Sequence, residues 1–284
     1  MKYSGSLRAS WGQGYRFPTI AETFILTQAQ GISIFPNPDL RSESGWSAEI
    51  GYRQVFSLGG LKFLADLALY ETRYDNMMEF TFSQWGPPVL PNKPFGDIGF
   101  KSLNTGKVQI RGIDFSLNSI YNTGKIKWMF TGSYTLVDSR SLEPDKIYGS
   151  DFNGQDLLTF NTTSSNPESG QLKYRYKHLC KLDVQASYIR FLLGLSMRAN
   201  SFMENIDLAF VEGIAANFVV PEVNRGRLLN SNGTYIFDGR FGYEVLVSTK
   251  IIIVVNNILN TEYMNRPADL RAPRSFMLQI SHKF

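Results

Sequence analysis

The chain reads FMLQISHKF from residue 276 to residue 284. Phe276, Leu278, Ile280 and Phe284 fall on one face of an extended chain, because successive side chains of a strand point to opposite faces. The end of a soluble domain is usually polar and frayed. The closing strand of a transmembrane β-barrel instead needs an apolar stripe that faces lipid. This tail therefore predicts a strand that crosses a membrane.

The same alternation occurs in at least seven other segments of the chain. They lie at positions 3–11, 46–56, 61–70, 126–136, 182–188, 191–198 and 235–245. Most of them approach the roughly nine to eleven residues that a tilted strand needs to cross a bilayer. The longest unbroken apolar run, at 251–255, is far shorter than the roughly 20 residues of a membrane helix. The pattern predicts membrane strands.

The connections between these segments alternate between short and long. Short turns are expected at 57–60, 122–125, 189–190 and 246–249, where Gly and Asn supply the positive φ that several of these turns need. Long loops are expected at 14–45, 76–99, 138–177, 206–233 and 263–275. Outer-membrane barrels combine short periplasmic turns with long outer loops. We therefore predict an all-β fold, an antiparallel transmembrane β-barrel in which this chain supplies ten strands.

One segment changes the phase of its alternation. The apolar Val108 and Ile110 fall on one face of the strand, whereas the apolar Ile113 and Phe115 fall on the opposite face. Gly112 lies between the two pairs. An extra residue in a β-bulge at Gly112 moves every later side chain to the other face. Alternatively, the upper part of the strand stands above the lipid and has no reason to keep the stripe. Both explanations remain open from the sequence.

Residues for catalysis or metal binding are sparse. The two histidines, His178 and His282, have no local signature of a nucleophile and its base, and the single Cys180 forms neither a disulfide nor a zinc pattern. The net charge of +4 lacks the clustered basic stripe of a nucleic-acid-binding protein. We expect no enzyme activity, no metal site, no cofactor and no nucleic-acid partner.

Five segments in order resemble the TonB-dependent outer-membrane receptors. They are GYRFPTIAE at 14–22, NPDLRSE at 37–43, KVQIRGIDF at 107–115, VNNILNTEY at 255–263 and APRSF at 272–276. The first two resemble the family's outer-loop patterns G-F-R-x-P-S-I-x-E and N-P-x-L-x-P-E, although Ser42 stands where Pro is common. Together with the aromatic tail, the resemblance extends over the entire chain.

The resemblance implies a protein of the Gram-negative cell outer membrane. Family barrels have twenty-two strands and an N-terminal plug, so residues 1–284 would be a C-terminal fragment of the barrel domain, without plug domain, energy-coupling segment or signal peptide. A complete small barrel of ten strands is the alternative. The implied partners are outer-membrane lipid and lipopolysaccharide, the TonB energy-coupling complex and a small nutrient ligand. The barrel-assembly machinery would read the tail through Phe276, Leu278, Ile280 and Phe284.

The family implies a transport receptor that takes up a scarce nutrient through a gated barrel, and a ferric siderophore is the expected ligand from the family's range. A glycan or cobalamin receptor is an alternative, as is a binding or structural barrel without gated, TonB-driven transport. Haem receptors of the family commonly use a His in the loop between the two outer-loop patterns. Haem is less expected here, because no His occurs between positions 16 and 40. Candidate ligand contacts are the loop aromatics Trp85, Tyr148 and Phe152, which offer flat faces, and Arg225 and Arg227, which can pair with an anionic chelate.

Overall fold

The computed structural model describes residues 4–29, 32–88, 96–213, 215–267 and 269–283. In chain order the elements are β1 (Ser4–Arg16), α1 (Ile20–Phe24), β2 (Thr27–Ala29), β3 (Ile32–Phe35), β4 (Glu43–Leu58), β5 (Leu61–Gln84), β6 (Ile98–Thr123), β7 (Ile126–Ser141), β8 (Gly149–Ser150), β9 (Leu157–Leu158), α2 (Phe160–Thr163), β10 (His178–Tyr188), β11 (Phe191–Asn200), α3 (Glu222–Leu229), β12 (Thr234–Leu246), β13 (Thr249–Asn256) and β14 (Ser275–His282). Short 3₁₀ turns occur at Pro167–Ser169 and Leu208–Phe210, and a π-helical turn occurs at Ala215–Val219.

Ten strands of one twelve-stranded sheet pair antiparallel in sequence order. Beside them, β3 pairs in parallel with β6, with Ser33 opposite Gly99, and β2 pairs with β3. The order of the ten strands is β1-β4-β5-β6-β7-β10-β11-β12-β13-β14, which confirms the ten alternating strands expected from the sequence. Within the described residues, β1 and β14 do not pair with each other, so the sheet is an open, partial barrel. The terminal Phe284 lies outside the described residues, so its predicted place at the rim stays a prediction. Among the described residues, no helix is long and apolar enough to span a membrane.

All four predicted short turns lie at the same end of the sheet. The turn from β4 to β5 consists of Gly59 and Gly60, whose φ angles of +55° and +86° are those that glycine adopts most easily. The predicted loop at 76–99 is wrong in its extent, because β5 continues to Gln84 and β6 begins at Ile98. The pairing shifts between Tyr74 and Met78 and then resumes. This upper part of the two strands carries no lipid-facing stripe, which is why the pattern missed it.

The outer face of the sheet is apolar near the short turns. On β5, β6 and β7, one row across the strands consists of Leu67, Phe115 and Tyr134, and the row above it consists of Leu69, Ile113 and Leu136. Leu67, Leu69, Phe115 and Tyr134 are exposed on this face. Apolar side chains directed away from a barrel face lipid. These rows are the lipid-facing surface that the alternation predicts.

The next two rows towards the long loops are polar. They consist of Glu71, Arg111 and Asp138, followed by Arg73, Gln109 and Arg140. Thirteen consecutive pairs of β5 and β6, from Lys62 with Ile120 to Tyr74 with Val108, keep one register. Because Tyr70 with Gly112 is one of them, no bulge occurs at Gly112 and that explanation is wrong. Above the lipid, the apolar Val108 and Ile110 turn inward and pack against the loop residues Phe160 and Leu172. The second explanation, a strand that leaves the lipid, is the correct one.

The inner face of the sheet carries charges that pair across neighbouring strands. Asp66 accepts hydrogen bonds from Arg8 at 3.0 Å and from Arg53 at 2.7 Å. Further along the sheet, both terminal nitrogens of Arg240 donate to Asp183 at 2.7 Å. These side chains avoid lipid because they point to the interior of the partial barrel, where each charge finds a partner.

Candidate functional site

The loop between β1 and β4 is anchored by residues of the family-like segments. The hydroxyl of Thr19 accepts a hydrogen bond from the backbone N–H of Glu22, and the Glu22 carboxylate accepts one from the backbone N–H of Thr19, which forms a capping box at α1. Burial alone would raise the pKa of Glu22, but the hydrogen bonds from Thr19 and the charge of Arg16 lower it overall. Asn37 is buried and donates to the carbonyl of Ser102 at 2.8 Å. These side chains support the fold and are engaged within the protein.

Three of the candidate ligand residues line one cleft, which we call the outer cleft. Trp85, Tyr148 and Phe152 surround a volume of about 440 Å³ together with Lys101 and Asn104. The acidic residues Asp39 and Asp151 also line this volume. The residues come from the upper ends of β5 and β6 and from the loop that follows β7. The Phe152 side chain is 50% exposed, so its ring is open to a ligand. The structure therefore brings together aromatic residues that lie far apart in the sequence.

Trp85 is held rigidly in this cleft. Its indole N–H donates to the carbonyl of Gly99 at 2.9 Å, and its backbone N–H donates to the carbonyl of Asp97 at 2.8 Å. The Lys101 ammonium lies 5.2 Å from the centroid of the indole ring, within the range of a cation–π contact. An aromatic face next to a cation is suited to a flat, electron-rich and anionic group.

The two candidate arginines do not line the outer cleft. Arg225 on α3 is highly exposed and pairs with Glu222 at 3.1 Å. Arg227 donates to the carbonyls of Met203 and Glu204, both at 2.9 Å, and its guanidinium lies over the Phe202 ring. The guanidinium of Arg227 is thus engaged with the loop between β11 and β12. Burial lowers the pKa of Arg227.

A second cleft was not anticipated from the sequence, and we call it the inner cleft. It has a volume of about 490 Å³ between the upper part of β5, β3, and the two longest loops. Its walls are largely apolar and include Met77, Phe80, Phe100 and Phe210. The four rings of Phe80, Phe82, Phe100 and Phe210 contact one another at centroid distances of 5.1–6.3 Å. The cleft is therefore an aromatic cavity open on one side.

Charged groups stand at the wall of the inner cleft. Arg175 and Arg266 line it, and neither forms an ion pair within the described residues. Glu79 also lines it, and no hydrogen-bond donor contacts its carboxylate among the described residues. Glu79 lies six positions above Arg73, beyond the lipid-facing rows, and burial raises its pKa, although Lys173 and Arg175 oppose the shift. The inner cleft thus offers two guanidinium groups without an acidic partner among the described residues, and a carboxyl group whose pKa is raised.

A buried polar cluster joins the walls of the two clefts. Lys173 and Asp207 form an ion pair at 2.5 Å with both side chains 2% exposed. The hydroxyl of Tyr174 donates to the other oxygen of Asp207 at 2.5 Å, and Lys173 also donates to Thr163. The Thr163 hydroxyl in turn contacts the hydroxyl of Tyr148 at 2.7 Å, in the outer cleft. Burial would lower the pKa of Lys173, but the charge and hydrogen bond of Asp207 together with Tyr148 and Glu79 outweigh it, and the pKa is raised.

A partial signal for this cluster exists in the sequence. The run KYRYK at 173–177 alternates basic and aromatic residues inside a long loop. Such a run normally indicates a solvated strand, and nothing local connects it to Asp207, 34 residues further on. His178 accepts or donates a 2.7 Å hydrogen bond with the Tyr134 hydroxyl on the outer face, away from both clefts. Among the described residues, no group of three or more His, Cys, Asp or Glu side chains is arranged to hold a metal ion.

Comparison with known proteins identifies the family. The family model described as TonB dependent receptor-like, beta-barrel matches residues 3–258. The chain therefore belongs to this family, as the five segments of the sequence suggested. The family is one of outer-membrane transport receptors.

Solved structures share the fold at low sequence identity. The haemophore receptor HasR of Serratia marcescens is 17% identical with a TM-score of 0.59, and the match covers 99% of this chain and 37% of that one. The ferric-catecholate import receptor Fiu of E. coli K12 is 17% identical with a TM-score of 0.59, covering 99% and 33%. The copper transporter OprC is 12% identical with a TM-score of 0.61, covering 99% and 37%.

A curated relative matches part of the chain. The hemoglobin and hemoglobin-haptoglobin-binding protein of Haemophilus ducreyi is 22% identical over 148 residues, which are 50% of this chain and 14% of that protein. The chain thus spans well under half of each of these relatives.

Proposed function

We propose that this chain is part of a TonB-dependent outer-membrane transport receptor that takes up a ferric siderophore through a gated β-barrel. One observation carries the choice of ligand: the outer cleft places Trp85, Phe152 and the Lys101 ammonium around one volume. Ferric chelates with catecholate groups are flat at each ligand arm and negatively charged. The aromatic faces match the flat arms and the Lys101 ammonium matches a negative oxygen, while Asp39 and Asp151 in the same lining disfavour further negative charge.

The inner cleft supports the same proposal. It lies beneath the long loops and joins the outer cleft through the cluster of Tyr148, Thr163 and Lys173. Its phenylalanine walls suit an apolar ligand arm, and Arg175 and Arg266 suit the anionic oxygens of a chelate. A ligand bound at the outer cleft would thus have a second matching surface nearby.

A haem-source receptor is the second candidate. Two of the similar proteins carry names that refer to haemoglobin or to a haemophore with haem. Against this candidate, neither His178 nor His282 lines either cleft. A glycan or cobalamin receptor and a binding or structural barrel without gated transport are the less favoured functions. In each of these functions the chain acts without catalysis, next to outer-membrane lipid and lipopolysaccharide.

The proposal includes the partners that the family implies. Energy would come from the TonB complex, acting through the N-terminal region that family members carry, and the barrel-assembly machinery would insert the protein. The candidate signal for that machinery is the stripe of Phe276, Leu278, Ile280 and Phe284. The first three are exposed on β14.

Uptake by living cells tests the proposal. A strain whose only receptor for the chelate is the complete protein should accumulate radioactive iron from a tricatecholate complex, and loss of TonB should abolish accumulation. Trp85→Ala with Phe152→Ala should raise the half-saturating concentration by about fivefold to 160-fold, because each lost aromatic face removes about 0.5–1.5 kcal/mol. Arg225→Gln is the matched loop control and should change nothing. Uptake that persists without TonB would refute gated transport, and uptake of haem but not of the chelate would favour the second candidate.

A further inference from the structure

The apolar wall of the inner cleft is left uncovered at a level that lipid does not reach. Phe80 and Ile34 line the cleft, and their side chains are 44% and 37% exposed. Phe80 lies further up β5 than Arg73 and the polar rows of the outer face. Uncovered apolar surface in a cleft that also carries a few charged groups indicates a ligand site. The chemistry of the lining therefore shows which kind of ligand arm the cleft fits.

Two strands supply aliphatic and flexible side chains to this wall. Ile32 and Ile34 are two positions apart on β3, so both point to the same face, and parallel pairing with β6 holds β3 in place. Met77 and Met78 are neighbours in sequence, yet both line the cleft, because the pairing of β5 with β6 shifts at this point. Unbranched methionine side chains adapt to the shape of an apolar partner. The wall is therefore suited to a flexible apolar group.

The phenylalanine rings beside the cleft do not form a slot for a flat group. Phe80 and Phe82 each meet Phe100 nearly at right angles, with interplanar angles of 87° and 82°. Phe210 meets Phe82 at 51° and Phe100 at 41°. Sandwiching a flat catecholate ring between two faces requires walls that are close to parallel, whereas a chain of methylene groups packs against faces of any tilt. The walls therefore favour an aliphatic chain.

The charged groups of the cleft add a preference for a negative ligand. Lys173 lines the cleft but is already engaged with the buried Asp207. Arg175 and Arg266 have no acidic partner among the described residues, and Arg266 is exposed to solvent. Two guanidinium groups against one carboxyl group, that of Glu79, leave the remaining lining with an excess of positive charge. A ligand that fits the whole cleft thus has an apolar chain and an anionic group next to it.

We infer that the inner cleft binds an aliphatic acyl chain of the nutrient, so that the substrate class of the receptor is the acylated ferric chelate. The inference rests on the proposed function, because the chelate supplies the negative charge that Arg175 and Arg266 face. A methylene group is about the size of a water molecule, which takes about 30 Å³ in the liquid, so a cleft of about 490 Å³ has room for roughly a dozen carbons. The chain lies along Ile34, Met77 and Phe80, and the chelate stays at the open side of the cleft.

A series of acyl chains tests the inference on the complete receptor in lipid nanodiscs. The probes are ferric tricatecholate complexes labelled with radioactive iron, each carrying one butanoyl, hexanoyl, octanoyl or decanoyl chain. Free decanoate is tested as a competitor, and protein-free nanodiscs correct for partition of the chain into lipid. Each methylene group that enters the cleft should tighten binding by at least twofold and by up to about fourfold, because it leaves water for an apolar wall.

Two variants separate the contribution of the chain from that of the chelate. Ile34→Asn with Phe80→Asn should bind the decanoyl complex at least fivefold more weakly than the wild type does, and the butanoyl complex within threefold of it. Arg175→Gln with Arg266→Gln should weaken binding of both complexes by the same factor, at least threefold. The matched control is Ile147→Asn with Phe24→Asn, which changes exposed side chains that line neither cleft and should leave both affinities unchanged.

The acyl-chain assignment and the siderophore proposal fail in different ways. Affinity that stays the same from the butanoyl to the decanoyl complex would overturn the acyl-chain assignment and leave the siderophore proposal standing. Absence of binding at every chain length would overturn both. Displacement of the decanoyl complex by an equal concentration of free decanoate would show a simple fatty-acid site and overturn the assignment of the chain to the nutrient. The wild-type series decides these points even where a variant does not fold.

Discussion

Replacing Asp207 with Asn should loosen the loops that cover the barrel, because Asp207 neutralises the buried Lys173. The ion pair is 2.5 Å long with both side chains 2% exposed, and Tyr174 also donates to Asp207. The variant leaves the ammonium group without an anionic partner, with the neutral amide oxygen of the new Asn and the Thr163 hydroxyl, at 3.3 Å, as its acceptors. Removing one partner of a buried pair costs about 3–5 kcal/mol. At about 1.4 kcal/mol per tenfold, local opening should become roughly a hundredfold to several thousandfold more frequent.

Amide hydrogen exchange in the complete receptor measures this opening directly. Peptides from 160–177 and 201–213 should lose protection, whereas β10 and β11 should keep theirs, because the cluster lies in the loops. Asp269→Asn is the matched control, since Asp269 pairs with Arg271 at 3.6 Å with both side chains more than 40% exposed. An exposed pair contributes at most about 1 kcal/mol, so its loss should change exchange less than about fivefold.

A double variant separates lost charge balance from lost shape. Lys173→Met with Asp207→Leu replaces the pair with apolar side chains, and such replacements of buried pairs are often neutral or stabilising. The double variant should therefore recover most of the protection that Asp207→Asn loses. Protection of Asp207→Asn within threefold of the wild type would refute the reasoning, because a buried and unpaired ammonium group cannot be that well tolerated.

Three further predictions concern Glu79, Gly99 and the terminal Phe284. Burial raises the pKa of Glu79 above its ordinary value of 4.5, so the folded loops bind its proton more tightly than unfolded loops do. The stability of the loops should therefore fall as the pH rises from 4.5 through the raised pKa. Glu79→Gln should flatten this part of the pH profile of denaturation, measured by tryptophan fluorescence. A Cβ at Gly99 would lie 1.9 Å from the carbonyl oxygen of Ser33, so Gly99→Ala should detach β3 and increase its hydrogen exchange, whereas Gly12→Ala, with open space around it, should not. Deleting Phe284 should sharply lower the amount of receptor in the outer membrane if the assembly machinery reads the tail. Lost stability alone predicts only a mild effect, because a change at the lipid interface costs about 0–1 kcal/mol. Normal amounts on an immunoblot would count against recognition of the tail.

The strands were predictable because lipid imposes a strict rule on them. A side chain of a membrane strand faces either hydrocarbon or the interior, so the outward Leu67 and Leu69 alternate with the inward Asp66 and Ala68. The order of the ten strands followed from the alternation of short and long connections. The upper half of β5 was not predictable, since consecutive residues there, Met77 with Met78 and Thr81 with Phe82, are buried, so both faces of the strand are covered. Contacts with loops from distant parts of the chain leave no period in the sequence.

The candidate site was predictable only as a set of residue types. Trp85, Tyr148 and Phe152 were selected as loop aromatics, and the fold places them around one cleft. Arg227 was selected by the same reasoning, yet its guanidinium donates to two backbone carbonyls. Sequence position does not reveal whether a loop arginine is already satisfied. Lys173 shows the limit most clearly, because the residue that makes its burial possible lies 34 positions away on another loop.

The change of phase between Ile113 and Arg111 locates the membrane surface on this barrel. Below it, apolar side chains point outward to lipid; above it, Val108 and Ile110 point inward to loop residues while Arg111 points outward. The strand pairing is unbroken between the segment in lipid and the segment above it. The apolar side chains lie on the outer face in lipid and on the inner face above it. This change of face needs no insertion or bulge, since it requires only that loops fold back to cover the inner face. Hence a reversal of the apolar face beside an outward arginine indicates the boundary of the lipid.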